Sequence, residues 1–193
     1  MAPGMVIGIS GATGVVYGVR ALELLREAGV ETHLVVSRAG GMTRAYESEL
    51  SAQRLRDLAD EYHPSGDLGA SIASGSFRTL GMLVAPCTVN TLAEIANGIS
   101  GNLLTRAADV TLKERRPLVL MVRESPLTAI HLRNMQRVTE AGGIIAPPVP
   151  AFYTAPQSVD EMVTQTVARA LDLFGLDLVP SRWRAEDVSD VIE

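Results

Sequence analysis

The chain has 193 residues, of which 47% are hydrophobic and only 4% aromatic, and its 17 basic and 22 acidic side chains give a net charge of −5. This length supports one sizeable core, and no linker-like change of composition divides it, so we expect a single domain over residues 1–193. The acidic balance, without a basic stripe interleaved with aromatic residues, argues against a nucleic-acid partner.

The single cysteine, Cys87, has no partner for an internal disulfide, and no stretch approaches the roughly 18 continuous apolar residues of a membrane span. The N-terminus also lacks the basic and apolar regions of a signal peptide. We therefore expect a cytoplasmic protein with no membrane partner. Because only 20% of the residues are charged, we also expect subunit contacts to cover part of the surface, in a homo-oligomer.

Apolar runs alternate with segments of helical periodicity along the whole chain. The first half predicts a strand, a helix, a strand, a broken helix and a loop, at residues 5–9, 15–28, 31–36, 40–60 with a break near Ser48, and 63–78. The second half predicts strands at 80–85, 118–122 and 143–146, and helices at 88–96, 103–113, 127–141 and 158–174. This alternation predicts a doubly wound α/β fold, Rossmann-like or flavodoxin-like, with three layers and a mostly parallel sheet.

The sequence Gly-Ile-Ser-Gly-Ala-Thr-Gly-Val at 8–15 predicts a strand, a glycine turn and a helix start. Glycines let the backbone approach an anion closely, and a helix start offers unpaired N–H groups, so the turn suits a phosphate. Ligands of such sheets bind beyond the carboxyl ends of the strands. Five segments are expected to meet there: 11–14, Ser37, 86–91, 123–126 and 147–153.

The residues after the second predicted strand do not clearly match either an enzyme that uses NAD or a reductase that uses NADP. Ser37-Arg38 stands where an NAD enzyme carries an acidic residue, and the arginine would suit NADP. The chain, however, has no Tyr-x-x-x-Lys pair to donate a proton to a carbonyl. Thr88 opens a helix after a buried strand, where it is as well suited to capping that helix as to contacting a ligand.

Many segments, taken together, carry a resemblance to a known family. They are Gly11-Ala12-Thr13-Gly14, Ser37, Ser74-Gly75-Ser76, Pro86-Cys87-Thr88-Val89-Asn90-Thr91, the stretch 103–120 with Arg106-Ala107-Ala108-Asp109, Arg123-Glu124-Ser125-Pro126, 147–153 and Pro156-Gln157-Ser158. With these segments the chain closely resembles the UbiX/Pad1 family of flavin prenyltransferases over about residues 5–185.

The resemblance implies an enzyme that transfers a dimethylallyl group from dimethylallyl monophosphate to N5 and C6 of reduced FMN. The product, prenylated FMN, would serve a UbiD-type decarboxylase. The resemblance also implies a dodecamer whose sites are completed by neighbouring subunits. The C-terminal tail, 175–193, is expected to pack on such a neighbour.

The family's site residues map onto matching positions of this sequence. FMN contacts are implied for Gly11, Ala12, Thr13, Ser37, Thr88, Val89, Asn90, Thr91 and Arg106. The prenyl-phosphate site is implied to contain Lys113, Arg123, Glu124, Tyr153, Arg169 and Trp183. Among all these, Glu124 is the expected proton-handling group, supported by Glu47 and with Thr13 beside the flavin.

Simpler interpretations stand beside several of these roles. Lys113 belongs to a run of cations that suits a solvated helix end, as Arg115 and Arg116 do. Arg169 lies on an amphipathic helix and Tyr153 beneath a proline-rich link, while Trp183 would also anchor the tail to a neighbouring subunit.

The chemistry of prenyl transfer fits the residue types of the implied site. An allylic cation would favour the face of an aromatic ring, and a leaving phosphate would favour guanidinium, ammonium and phenol donors.

Two other functions remain as alternatives. One is a flavin-dependent cysteine decarboxylase of related fold, although such enzymes use an active-site histidine that the loop at 74–76 lacks. The other is a non-catalytic flavin-binding subunit of a decarboxylase. His33, His63 and His131 are too scattered in sequence to predict a metal site, so no metal is expected.

Overall fold

The computed structural model describes residues 3–180 and residue 182, and these form one α/β unit. Within this described part of the chain, six parallel strands make a single sheet in the order β3-β2-β1-β4-β5-β6. The strands are β1 (Gly4–Ile9), β2 (Thr32–Val36), β3 (Glu61–His63), β4 (Thr79–Cys87), β5 (Leu118–Val122) and β6 (Ile144–Ile145). The helices are α1 (Val15–Glu27), α2 (Arg38–Glu47), α3 (Ala52–Arg56), α4 (Val89–Ala96), α5 (Leu103–Lys113), α6 (Ala129–Glu140) and α7 (Val159–Leu171).

The sheet is buried on both faces because its strands carry apolar residues at nearly every position. In β1, Met5, Ile7 and Ile9 belong to a core that also contains residues of α1 and α7. Val6 points to the opposite face and joins a second core built with α4 and α5. Helices on both sides of a parallel sheet confirm the predicted doubly wound, three-layer fold, and the strand order is that of dinucleotide-binding sheets.

The turn between β1 and α1 requires glycine at two positions. Gly14 has a φ of 100°, in the left-handed region that side chains other than glycine rarely adopt. A Cβ on Gly11 would lie 2.4 Å from the Cβ of Ala39, at the start of α2. The tight turn therefore brings the beginnings of α1 and α2 together at the carboxyl edge of the sheet.

The predicted helix over 40–60 is wrong in its second half. The break at Ser48 is confirmed, since α2 ends at Glu47 and Ser48 is its C-cap, but only the short α3 follows before the strand β3. The strand β3 has three residues and lies at the edge of the sheet, so it is too short to show an alternating pattern. Its pairing with β2 is visible only in three dimensions.

The last helix is shorter than predicted, and one further expectation cannot be compared with the structure. The helix α7 ends at Leu171, where a 3₁₀ turn, Asp172–Phe174, replaces its continuation. The expected contact of the tail 175–193 with a neighbouring subunit lies mostly outside the described residues, as does Trp183. Of the helices that the structure describes, none has the length and apolarity to cross a membrane.

Candidate active site

The carboxyl ends of β1, β2, β4 and β5 are joined to one another by hydrogen bonds. Ser10, at the end of β1, donates from Oγ to the carbonyl of Pro86 (3.0 Å) and accepts from the N–H of Thr88 (2.8 Å). The N–H of Ser37 donates to the carbonyl of Ile9 (2.9 Å). The segments expected to meet after these three strands therefore do so. Sequence reasoning missed Ser10, although a polar residue at the end of an apolar strand was the available signal.

The strand β5 enters the same network through Arg123. Its N–H donates to the carbonyl of Cys87 (3.0 Å), so the chain leaves β5 directly beside the end of β4. The peptide bonds Ala85-Pro86 and Ser125-Pro126 near these two strand ends are both cis.

The start of α1 is occupied by a carboxylate of the protein itself. Glu47, the last residue of α2, accepts through Oε2 from the N–H groups of Gly14 (2.8 Å) and Val15 (3.1 Å). The sequence predicted unpaired N–H groups here, suited to a phosphate, whereas in the structure those of Gly14 and Val15 are paired with Glu47. The Gly-Ala-Thr-Gly turn instead positions a carboxylate at the positive end of a helix.

The environment of Glu47 favours its ionised form. Partial burial acts to raise the pKa of this carboxyl, but hydrogen bonds from the Thr13 side chain and from the N–H groups of Gly14 and Val15 outweigh it. The positive charge of Arg123 acts in the same direction, so the pKa of Glu47 lies below its ordinary value. Thr13, Glu47 and Arg123, which the sequence singled out separately, thus belong to one electrostatic cluster.

The helices α2 and α4 both begin at this edge, each with a hydroxyl cap. Ser37 Oγ accepts from the N–H of Gly40 (3.0 Å), and Thr88 Oγ1 accepts from the N–H of Thr91 (3.0 Å). The capping role considered for Thr88 is therefore present. The first N–H groups of each helix have no partner within the helix, which makes both starts suited to an anion.

Two neighbouring positions of the implied FMN set differ in exposure. Asn90 is exposed and donates through Nδ2 to Glu94 (2.9 Å), one helical turn further along α4. Val89 is half-buried at the start of the same helix. Cys87, just before them, is fully buried, and this burial raises the pKa of its thiol, so Cys87 is an inert core residue as expected.

Beside Ser37 lies a cavity of about 220 Å³ with a basic lining. Its walls include the arginines Arg38, Arg44 and Arg56, together with Tyr62. The Arg56 guanidinium stacks over the Tyr62 ring at 4.5 Å from the ring centroid. Positive charge therefore surrounds the end of β2, although the chain as a whole is acidic.

Tyr153 and Arg169 line a different cavity, of about 250 Å³, next to β6. Arg169 is exposed and pairs with Asp172 (2.7 Å). The cavity is walled by the end regions of β5 and β6, the proline-rich link and α7, and its described lining includes no residue of the glycine turn.

Glu124 is exposed after β5 and accepts from the N–H of the adjacent Ser125 (2.9 Å).

Lys113 and Arg106 both lie on α5. Within one chain, Lys113 and Arg123 lie near opposite ends of β5 and are not close to each other. Lys113 ends α5 shortly before β5 begins, whereas Arg123 follows β5, a strand of five residues that spans about 16 Å. Lys113 forms an ion pair with Glu114. Arg106 pairs with Asp109 (2.8 Å) and donates to the carbonyl of Ala73 (3.2 Å).

The structure contradicts the expectation for Arg116 and brings together two histidines that are distant in sequence. Arg116 is not a simply solvated cation, because it donates to the carbonyls of Phe77 (2.6 Å) and Gly75 (2.8 Å) and holds that loop. His33 and His63 are far apart in sequence but adjacent in space, with 3.1 Å between His33 Nδ1 and His63 Nε2. The pairing of β2 with β3, which the sequence did not reveal, brings them together.

Comparison with known proteins agrees with the fold. A family model described as Flavoprotein matches residues 2–171. The flavin prenyltransferase UbiX of Neisseria meningitidis serogroup B is 60% identical over 181 residues, covering 93% of this chain and 96% of that protein. The chain belongs to the UbiX flavin prenyltransferase family.

Solved structures of UbiX proteins superpose closely on the chain. AnUbiX in complex with FMN and dimethylallyl pyrophosphate matches with a TM-score of 0.94 and 47% identity, covering 96% of this chain and 99% of that one. A dodecameric FMN-dependent UbiX-like decarboxylase from Escherichia coli O157:H7 matches with a TM-score of 0.90 and 48% identity, covering 94% and 99%. The family and the fold expected from the sequence are thereby confirmed.

Proposed function

We propose that this chain is an FMN prenyltransferase that moves the dimethylallyl group of dimethylallyl monophosphate onto N5 and C6 of reduced FMN. The observation that carries the proposal is the cluster of Thr13, Glu47 and Arg123 beside the glycine turn, in a chain that matches UbiX over nearly its whole length. The complex of AnUbiX with FMN and dimethylallyl pyrophosphate supports both ligand classes.

The residues at the carboxyl edge fit FMN. Its phosphate would lie at the starts of α2 and α4, where Ser37 and Thr88 present hydroxyls and where helix N–H groups favour an anion. The glycine turn, from Gly11 to Thr13, has little side-chain bulk and would lie along the ring system. The remaining contacts proposed for FMN are those of Val89, Asn90, Thr91 and Arg106. FMN supplies the nucleophilic ring atoms that accept the five-carbon group.

The prenyl phosphate needs groups that stabilise a departing oxyanion. When the C–O bond to the phosphate breaks, the electron pair stays on the phosphate oxygen, and positive or hydrogen-bonding groups lower the barrier. Arg169 and Tyr153 share one cavity and supply a guanidinium and a phenol. We assign the same task to Lys113 and Arg123, and we assign Trp183, outside the described residues, to the substrate side of the site.

Glu124 is proposed to move protons at the phosphate or the flavin. Its carboxylate is exposed and, among the residues that the structure describes, accepts a hydrogen bond from the N–H of Ser125 alone, which leaves it free to reorient toward a bound ligand. Glu47 differs, because its hydrogen bonds and lowered pKa keep it ionised. The two carboxylates are therefore suited to different tasks: proton transfer for Glu124, and charge stabilisation near the flavin for Glu47.

A complete site is proposed to need more than one copy of the chain. In a single copy, Lys113 lies toward the amino end of β5 and the cavity of Arg169 lies beside β6, while the FMN residues lie after β1, β2 and β4. The dodecameric UbiX-like protein of Escherichia coli O157:H7 supports an assembly of the same kind. We propose a dodecamer in which neighbouring subunits bring these groups together.

The product is proposed to serve a UbiD-type decarboxylase in the cytoplasm. The lone, buried Cys87 is consistent with that reducing compartment. Cysteine decarboxylation and non-catalytic flavin storage remain less well supported, because the relatives that match nearly the whole chain are named as prenyltransferases.

Product analysis tests the proposal directly. The protein is incubated with FMN, a reductant and dimethylallyl monophosphate, and the flavin is examined by mass spectrometry. We expect a flavin heavier by C5H8, formed only when the FMN is reduced. Binding of FMN without any mass increase would favour the storage alternative and refute prenyl transfer.

A further inference from the structure

The edge of the sheet opposite β6 carries a cluster of metal-ligating side chains that the proposed reaction does not use. The parallel pairing of β2 and β3 places His33 opposite Glu61 and Val35 opposite His63. Because alternate residues of a strand share a face, His33, Glu61 and His63 point to the same side of the sheet. A pairing of strands, rather than a sequence motif, builds the cluster.

The distances in this cluster match those of a metal site. His33 Nδ1 lies 3.1 Å from His63 Nε2 and 3.2 Å from Glu61 Oε2, and one ligand atom from each residue lies within 4.8 Å of the others. Four ligands at about 2.0–2.1 Å in a tetrahedron around zinc are separated by about 3.3 Å. One cation between the three side chains would therefore require only small side-chain adjustments.

The surroundings also resemble those of metal-bound histidines. The second ring nitrogen of His33, Nε2, lies 3.6 Å from Glu31 Oε1, and a carboxylate in that position orients a ligating imidazole and increases its basicity. Both imidazoles are buried, with exposures of 1% and 4%, whereas the Glu61 side chain is 54% exposed and leaves a route from solvent.

We propose that His33, Glu61 and His63 bind a divalent cation of the zinc class, with water in the fourth position. Two imidazoles and one carboxylate are a donor set that zinc accepts, and calcium or magnesium would prefer oxygen ligands only. The cation would fasten the three-residue strand β3 to β2. It would also fix His33 against Phe77, whose ring stands edge-on to it at a centroid distance of 5.0 Å.

Zinc titration of the full-length, tag-free protein tests this site. The protein is stripped with a chelator and titrated calorimetrically with Zn²⁺, and the metal retained after dialysis is measured by mass spectrometry. We expect one Zn²⁺ per chain, and at least about tenfold weaker binding in both Glu61→Gln and His63→Gln. Glu49→Gln and His131→Gln are matched controls outside the cluster and should bind like the parent protein.

Glu61→Gln decides the outcome if His63→Gln fails to fold, because the Glu61 side chain is exposed and its replacement leaves the core intact. Circular dichroism of each variant verifies folding. No stoichiometric binding by the parent protein, or equal binding by Glu61→Gln, would overturn the proposal. The 3.1 Å contact would then be a hydrogen bond between the two imidazoles. None of these results depends on the prenyl-transfer reaction.

Discussion

At the scale of single residues, the position of Glu47 explains how this chain uses its glycine turn. A helix start next to a glycine-rich turn commonly binds a ligand phosphate, but here the N–H groups of Gly14 and Val15 bind the carboxylate that ends α2. The turn therefore holds a fixed negative charge next to Thr13 and Arg123. Such an arrangement suits the stabilisation of a cationic fragment better than the binding of an anion at the same N–H groups.

The lowered pKa of Glu47 predicts a specific dependence of stability on pH. A carboxyl whose pKa is lower in the folded than in the unfolded protein stabilises the fold above the unfolded value, near 4.5, and loses this contribution as pH falls through the folded value. We expect Glu47→Gln to unfold at a lower temperature at pH 7, by the equivalent of about 0.5–1 kcal/mol after allowing for solvent screening. The difference should shrink below pH 4.5.

Thermal unfolding followed by circular dichroism between pH 3 and pH 8 measures this difference. Glu49→Gln, two residues away and also exposed, is the matched control and should show no comparable pH-dependent difference. A Glu47→Gln difference that is constant across this range would contradict the electrostatic account of Glu47.

Replacement of Glu124 tests the proposed division of tasks between the two carboxylates. We expect Glu124→Gln to reduce kcat about 100-fold or more, the usual contribution of a positioned acid or base, while FMN affinity stays close to that of the parent protein. Turnover of FMN to product and FMN binding by fluorescence quenching measure the two effects separately. Glu140→Gln, an exposed position at the end of α6, should leave both unchanged. Normal turnover in Glu124→Gln would remove its proton role.

At the scale of secondary-structure elements, Ser10 connects the ends of β1 and β4. Its hydroxyl is buried and makes two hydrogen bonds, one to Pro86 and one from Thr88, so its removal leaves buried backbone groups unsatisfied. We expect Ser10→Ala to cost about 1–3 kcal/mol of unfolding free energy and to weaken FMN binding, because Thr88 begins α4.

Ser71→Ala is a matched control for this prediction. Within the described part of the chain, the buried Ser71 Oγ has no hydrogen-bond partner, so its removal should be neutral or slightly stabilising. Urea unfolding of both variants gives the free energies. Equal losses in the two variants would show that the hydrogen bonds of Ser10 contribute little.

The elements that the sequence predicted well are those with a strong local pattern. The strands β1, β2, β4 and β5 are short apolar runs, and α2 ends just before Ser48, where the helical pattern breaks. The edge strand β3 was missed because three residues show no period. The proximity of His33 and His63 depends on that strand, so it was missed for the same reason.

The site was predictable only in part. Fold topology predicts that residues following the strands meet at the carboxyl edge of the sheet. At this edge Arg123 is close enough to Glu47 to lower the pKa of its carboxyl. That Glu47 takes the N–H groups expected for a phosphate could not be read from the sequence, because it depends on how α2 packs beside α1. Similarly, the carbonyls held by Arg116 belong to a loop distant in sequence.

At the scale of the whole molecule, several large apolar side chains are exposed on the single chain. Tyr46 is 87% exposed, Val149 73%, Phe152 71% and Val159 75%. Exposed apolar groups on this scale mark contact surfaces, which agrees with the proposed oligomer. Tyr46 directly precedes Glu47, and Phe152 precedes Tyr153, so both sets of site residues adjoin such surfaces.

Mixed oligomers test whether a site is shared between subunits. We expect Glu124→Gln and Arg169→Gln to be nearly inactive separately. If the two residues of one site come from different chains, mixing the unfolded variants and refolding them together should restore activity in about one site in four, by random assortment. Steady-state turnover measures the recovery, and each variant refolded alone is the control. Absence of recovery would place both residues of a site in one chain.

A crystal structure with FMN and dimethylallyl monophosphate bound tests whether one site is formed by two neighbouring subunits. We expect the flavin beside the glycine turn, Ser37 and Thr88 of one subunit, with the ester phosphate against Arg169 and Tyr153 of a neighbouring subunit. An ester phosphate bound away from the flavin, or both ligands contacted by one subunit alone, would contradict it.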